Sequence, residues 1–317
     1  MIDLLSDVLT WVRLTGAVTF RIDVQGPWGI ETRPTEAMFA PALPADTNNI
    51  IAFHIVVDGG CWLRRPPDDW FQARVGDAVV LPKGDLHELG DHPGRATIPF
   101  EKVLAGRSAL DLRHERFETG EAPWASLVCG FLGCDRRAFE PLCNSLPPVF
   151  CVALGRQAPE LLHYAATKAL DETAGAEGVR ARTAELLFME ALRLYANALP
   201  ADATGWLAGM RDPLVGRALR ALHAAPARSW SVETLAARTA SSRSSLAARF
   251  RDTVGEPPMH YLTRLRMQLA ARHLAERTCN VADVAEAVGY DSCAAFQRAF
   301  KRCFGVPPAA WRRRLDS

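Results

Sequence analysis

The spacing of apolar positions changes twice along this 317-residue chain. Between residues 17 and 130 they fall in short runs cut by turn clusters such as "DGG", "RPPDD" and "GDHPG". Two stretches, "IIAFHIVVDGGCWL" (50–63) and "FQARVGDAVVLPKGDLHEL" (71–89), read as antiparallel strands joined by turns. Short strands at even spacing predict a β-barrel or double-sheet jelly roll. From residue 158 to 200 the spacing becomes helical, with a break at "AGAEG". Leu186, Leu187, Met189, Leu192, Leu194 and Tyr195 give that segment an apolar face too large for a solvated linker, so it must pack on the strands or on a second copy of the chain. "DATGWLAGMRD" (202–212) reads as a hinge into the last third.

The last third repeats itself. "TASSRSSLAARFRDTVGEPP" (239–258) and "VGYDSCAAFQRAFKRCFGVPP" (288–308) align at an offset of fifty residues, with Phe250 on Phe300, Gly255 on Gly305 and Pro257-Pro258 on Pro307-Pro308. Each copy has the same local physics. Ser231 and Asn280 are N-cap types that can accept the orphan N–H groups of a short helix. A tight turn follows at Ala240-Ser241-Ser242 or Gly289-Tyr290-Asp291, where Gly289 suits a left-handed residue. The second helix of each copy carries one stripe to bury, Leu246/Phe250 or Phe296/Phe300, and ends at Gly255 or Gly305. Short helix, tight turn and longer helix make a helix-turn-helix, whose second helix enters a major groove. A connecting helix predicted over Met259–Glu276 would span roughly 27 Å at about 1.5 Å per residue, near the ~34 Å between successive major-groove faces.

Charge supports that reading. Residues 208–317 hold 18 Lys and Arg against 9 Asp and Glu, whereas the remainder holds 19 against 27. The basic end suits a polyanion. No run of about 18 apolar residues occurs and no basic start precedes an apolar segment, so a soluble, cytoplasmic protein is expected. The eight cysteines are scattered without paired spacing, which predicts free thiols. Cys134, Cys143 and Cys151 read as buried, Cys303 as packed, and Cys61 as a candidate exposed thiol.

The pattern Ala285, Val288-Gly289-Tyr290, Ser292, Phe296, Arg298, Phe300-Lys301, Phe304-Gly305, Pro308 and Arg312 resembles the signature of the AraC/XylS family of bacterial transcription regulators, over about residues 210–317. The resemblance places DNA-binding positions on Arg243, Ser244, Ala247 and Ala248 in the first recognition helix and on Ala294, Gln297, Arg298 and Lys301 in the second. Ala247 and Ala248 depart from the longer polar residues often found there, which points to thymine methyls or DNA shape. Arg298 suits guanine and Gln297 adenine, with phosphate contact the alternative for Arg298 and Lys301. The resemblance further implies double-stranded DNA and RNA polymerase as partners, a homodimer, and activation as the usual mode.

Residues 1–155 resemble a cupin-like sensor domain. The landmarks are Pro27-Trp28, Phe53-His54, the run Gly76-Asp77, Pro82, Gly84, His87, and Cys129-Gly130. The expected organisation is α+β, with an antiparallel cupin-like barrel or jelly roll at 1–155, a helical linker and dimerisation region at 156–207, and a double helix-turn-helix domain at 208–317. Metal-binding cupins supply His-x-His and a glutamate, and here Val56 stands in place of the second histidine. His54, His87 and Cys129 could still converge, and two imidazoles with a thiolate suit zinc, the alternative being internal hydrogen bonds. The function expected is a DNA-binding regulator whose sensor responds to a small molecule, a metal or an oxidant. The alternative is a cupin-type metalloenzyme with a DNA-binding tail, disfavoured by the missing ligands and by the lack of a paired general acid and base.

Overall fold

The computed structural model describes residues 3–11, 14–39, 47–118, 124–134, 142–171, 173–275 and 280–314. Contacts divide the chain into a unit of residues 12–198 and a unit of residues 1–11 with 199–317, so the chain passes between them after Trp11 and after Ala198.

In the first unit the strands are β1 (Leu14–Gln25), β2 (Gly29–Thr32), β3 (Asn49–Asp58), β4 (Gly60–Arg64), β5 (Phe71–Arg74), β6 (Ala78–Leu81), β7 (His87–Gly90), β8 (Ile98–Pro99), β9 (His114–Glu118), β10 (Trp124–Cys134) and β11 (Phe150–Val152). They form two sheets, β11-β6-β3-β10-β1-β9 and β5-β4-β7-β2-β8. One apolar core takes residues from both, including Phe20, Ile22, Ile30, Leu63, Leu89 and Phe131. The expected two-sheet α+β unit is present, but the sheets do not close into a barrel. The edge strand β9 reads His-Glu-Arg-Phe-Glu, and such charges discourage further pairing. Nor are all pairings antiparallel, since β9 runs parallel to β1 and β8 parallel to β2.

Helices α1 (Leu4–Trp11), α2 (Glu36–Phe39), α3 (Phe100–Leu104), α4 (Leu154–Gln157), α5 (Pro159–Lys168) and α6 (Ala176–Ala198) complete the first 200 residues. α5 ends at Lys168 and α6 begins at Ala176, so of the break expected at "AGAEG" only Ala174 and Gly175 lie between the helices, and Ala176, Glu177 and Gly178 form the first turn of α6. The face of α6 carrying Leu187, Phe188 and Leu192 is buried and packs on β1, β10 and β11, while Leu186 on another face is 48% exposed. Two close approaches shape the sheet bearing the candidate site. Gly84 turns with φ +59, and a Cβ there would lie 2.4 Å from the Ile50 carbonyl oxygen. A Cβ on Gly130 would lie 2.2 Å from the Phe53 ring. That contact explains why a glycine follows Cys129.

The second unit contains α1 and the helices α7 (Trp206–Arg211), α8 (Pro213–Ala224), α9 (Val232–Arg238), α10 (Arg243–Val254), α11 (Pro258–Ala275), α12 (Val281–Ala287), α13 (Cys293–Phe304) and α14 (Pro308–Arg314). The duplicated caps form as the sequence predicts. Ser231 and Asn280 make capping boxes with Thr234 and Asp283, Ser242 and Ser292 accept from the N–H groups of Ser245 and Ala295, and Gly255 and Gly305 close α10 and α13 in the left-handed region. Ala240 takes the turn that Gly289 makes, at φ +53, although it carries a Cβ. The predicted connecting helix is α11; Glu276 lies outside the described residues. The expected hinge is instead part of the core. Trp206 and Leu207 of α7 are buried, because an indole and a leucine side by side gain far more inside than in a solvated joint.

Gly130→Ala should cost about 1–3 kcal/mol, the usual penalty for overpacking, because the aromatic ring above it cannot fold away. Urea denaturation of the full chain followed by tryptophan fluorescence measures this, and an unchanged midpoint would contradict the contact.

Candidate functional site

Two regions carry the chemistry, one in each unit. In the first, His54 on β3 stands directly opposite Cys129 on β10 in the antiparallel register. Cross-strand partners have Cβ atoms roughly 4.5–5.5 Å apart, within reach of an imidazole and a thiol. His54 Nδ1 lies 3.1 Å from Cys129 Sγ, and its Nε2 lies 2.8 Å from His87 Nε2 on the opposing sheet. His87 Nδ1 lies 2.8 Å from the Asp85 carbonyl oxygen.

These contacts fix the protons. A carbonyl only accepts, so His87 Nδ1 carries the hydrogen and its Nε2 is a lone pair. His54 Nε2–H must then donate to it. This leaves His54 Nδ1 to accept the Cys129 S–H. The three side chains form one directed chain from thiol to carbonyl, each neutral and each satisfied. Burial holds both imidazoles below the ordinary histidine range, His87 to about 4 and His54 well below it, with the neighbouring His87 charge a second cause for His54. Burial likewise pushes the Cys129 thiol up, with Cys61 adding to it.

The expected zinc set is thus brought together, but its geometry does not fit zinc. Two tetrahedral Zn–N bonds would hold the nitrogens about 3.3 Å apart, with both lone pairs aimed at the ion. Here one nitrogen donates to the other. Cys129 sits on the opposite ring nitrogen of His54, so its sulfur and His54 Nε2 do not converge. Among the described residues no group of three His, Cys, Asp or Glu side chains is placed to hold a metal ion. Val56, where a second imidazole would stand, is fully buried in the apolar core.

Beside the chain is a small cavity of about 20 Å³, enough for about one water by the usual threshold of roughly 10–15 Å³. Phe20, Ile22, Trp28, Leu89, Phe100 and Phe131 line it, and Thr32, His54 and Cys129 border it without turning polar surface into it. The thiol expectations need correction. Cys61 is buried, and burial pushes its pKa up to about 12, so it is not an exposed nucleophile. Cys134 and Cys143 are buried as expected, whereas Cys151 and Cys303 are exposed. All the described cysteines are free thiols.

In the second unit, burial of Leu246 and Phe250 and of Phe296 and Phe300 turns the opposite faces of α10 and α13 outward. Arg243, Ser244 and Ala248 are exposed on α10, with Ala247 half-buried beside them. Ala294, Gln297, Arg298 and Lys301 are exposed on α13. Arg243 Nε is 2.9 Å from Glu233 Oε1 on α9, an exposed surface pair, weak in water, that a phosphate can displace. Arg249 Nη2 lies 2.7 Å from Asp212 Oδ2, while Asp212 Oδ1 caps α8. Sequence reasoning missed a buried polar chain in this unit. Trp206 Nε1–H donates to Tyr261 Oη at 2.8 Å, Tyr261 Oη is 2.6 Å from His223 Nε2, and His223 Nδ1 is 2.7 Å from Asp7 Oδ2 on α1. Asp7 and His223 are 216 residues apart, and no local pattern announces their meeting.

Comparison with known proteins agrees with both regions. The Cupin family matches residues 3–197 and a helix-turn-helix domain family matches residues 235–314. An AraC-like transcription regulator of Streptomyces lividans is 33% identical over 98% of this chain and 98% of its own length. The transcriptional regulator AlkR of Acinetobacter baylyi is 27% identical over 98% of this chain and 99% of its own. The RCS-specific transcriptional activator RclR of Escherichia coli is 26% identical over 84% of this chain and 86% of its own. Among solved structures, the DNA-binding domain of AdpA in complex with target DNA is 36% identical over 32% of this chain and 91% of that one, with a TM-score of 0.30.

The neutral histidines make stability depend on pH. Unfolding restores an ordinary affinity near pH 6.5, so the unfolded state binds more protons below that value. Stability contributed by the pair is full above pH 6.5 and falls as pH drops toward 4, by up to about 1.4 kcal/mol per pH unit for each histidine. Urea unfolding of the full chain at pH 7 and pH 5, with and without His87→Gln, should show a shallower pH dependence in the variant; an equally steep one would place the titration elsewhere.

Proposed function

We propose that this chain, which belongs to the AraC-type helix-turn-helix transcription regulators with an N-terminal cupin domain, reads an operator with both recognition helices and senses a small apolar molecule in its sheet core. The observation carrying the DNA reading is the pair of equivalent exposed faces, Arg243/Ser244/Ala248 on α10 and Ala294/Gln297/Arg298/Lys301 on α13, each opposite a buried aromatic or leucine stripe. Arg298 suits a guanine edge and Gln297 an adenine edge, while Ala248 and Ala294 suit thymine methyls. Lys301, a turn beyond Arg298, suits phosphate. The chain is a regulator and not an enzyme; the metalloenzyme alternative finds neither the second cupin histidine nor a metal-ready cluster among the described residues.

The effector class rests on the aromatic and aliphatic lining of the cavity, into which no polar surface is turned. The cavity is small as folded, so an effector has to part the side chains around Phe20 and Phe131. By binding one arrangement of the protein better than another it would shift the equilibrium between them. A raised thiol pKa leaves little thiolate on Cys129, which favours a small molecule over an oxidant as the signal. Among the described residues no helix is long and apolar enough to cross a membrane, which supports action in the cytoplasm. Val179 and Leu186 are exposed a helical repeat apart on α6, and with Tyr164 and Leu170 they support a homodimer through this helix pair. One relative is named a transcriptional activator, and activation with RNA polymerase as partner is the mode proposed here.

A sequence-selected operator fragment should be retarded by the protein in the presence of excess bulk DNA, with affinity falling steeply as salt rises. Arg298→Ala should weaken that complex by about 1–3 kcal/mol and relax the preference at one base pair. Unchanged affinity and preference would remove Arg298 from the base-reading set. Leu186→Arg should convert a dimer to a monomer in sedimentation at micromolar concentration, and a wild type that is already monomeric there would end the dimer proposal.

A further inference from the structure

Each helix-turn-helix has its own core, and a single connecting helix joins them. The second core gathers Met267, Leu274, Val284, Phe296, Phe300 and Trp311. A lone rod between two bodies leaves them free to roll about its axis and to bend along it. The structure contains a second connection, off that axis. Arg266, midway along α11, donates from Nε to the Pro226 carbonyl at 2.8 Å and from Nη2 to the Arg228 carbonyl at 2.9 Å. Both carbonyls belong to the loop between α8 and α9 of the first motif. The same guanidinium lies 5.7 Å from the centre of the Tyr290 ring, in the turn of the second motif.

That turn also touches the loop directly. Gly289 has φ +82, and a Cβ on it would lie 2.3 Å from the Ala227 carbonyl oxygen and 2.6 Å from Ala227 Cα. The first motif takes its equivalent turn with Ala240, so a left-handed angle alone does not demand glycine there. The approach of the Ala227 backbone does. The loop is itself stiffened, since Trp230 Nε1–H donates to the Ala225 carbonyl at 2.9 Å and the Arg228 guanidinium lies 4.6 Å over the Trp230 ring. Arg266 is half-buried, and losing water is the first cause that lowers its pKa. A planar fork is suited to hold two carbonyls and an aromatic face at once, which a lysine cannot do.

We propose that Arg266 and the Pro226–Arg228 backbone form a bracket that fixes the axial and rotational phase between α10 and α13, so that the protein selects operators by the spacing between two boxes as well as by their bases. Arg266 is a positioning residue in this scheme and touches no DNA. The proposal rests on the two-helix reading of the operator given above. It adds a cause for spacing selectivity that the connecting helix alone does not supply.

The test begins with an operator selected from random DNA by the full-length wild type. Fragments with one base pair inserted or deleted between the two boxes are then compared with the original for wild type and Arg266→Met, which keeps bulk but removes the donors. Wild type should lose at least 30-fold on the altered spacers. Arg266→Met should bind the original about 10-fold more weakly but lose only a few-fold on altering it, so that the spacing ratio drops by about an order of magnitude. If Arg266→Met does not fold by circular dichroism, Pro226→Gly, which slackens the loop while keeping every donor, is read in the same way. A folded variant with the wild-type spacing ratio, or a wild type indifferent to spacing, overturns the bracket. Failure of the wild type to select any sequence would instead overturn the operator reading beneath it.

Discussion

Burial of one stripe on each recognition helix is the constraint from which the DNA-binding unit follows. A helix has about 3.6 residues per turn, so sinking Leu246 and Phe250, or Phe296 and Phe300, into a core turns Ala248 and Arg249, or Gln297 and Arg298, toward water. Arg243, Ser244 and Ala248 are outward because Leu246 is inward, and Gln297, Arg298 and Lys301 because Phe296 and Phe300 are. The caps make the constraint effective. Ser242 and Ser292 start each helix at a defined residue, and Gly255 and Gly305 stop it, so the stripe cannot slide by a residue and rotate the outward face.

The sensor unit solves a different problem, that of burying polar side chains between two apolar sheets. A buried unpaired imidazole costs several kcal/mol, and a charged one more. The solution here is a chain in which every proton has one acceptor, running from Cys129 through His54 and His87 to the Asp85 carbonyl. His54 and His87 belong to opposite sheets, so this chain also pins the sheets across the core. The same residue types that suggest a metal centre are fully occupied with one another. Residue type alone does not distinguish the two outcomes, because both need two imidazoles and a sulfur close together.

The DNA-binding unit uses the same device around Tyr261, whose hydroxyl takes the Trp206 N–H and meets His223, which in turn meets Asp7. This places the N-terminal helix in the C-terminal unit, although the strand that follows, β1, supplies Phe20 and Ile22 to the sensor cavity.

By itself the sequence determined the duplicated motif, its caps, the extent of the connecting helix and the faces that α10 and α13 present. These are set by residues three or four apart, and local spacing writes them directly. It also indicated a strand-rich sensor with His54, His87 and Cys129 as neighbours, through a resemblance whose landmarks lie at sharp corners such as Gly84. Only the tertiary structure decided that the sheets stay open, that Trp206 is core and not hinge, that Cys61 is buried, and that His54 turns its two nitrogens to different partners. Tertiary structure likewise decided that Asp7 meets His223 and that Arg266 grips a loop 40 residues away. Those contacts join segments 33 to 216 residues apart, and their geometry depends on sheet register and helix packing, which no short-range pattern of apolar and polar residues encodes.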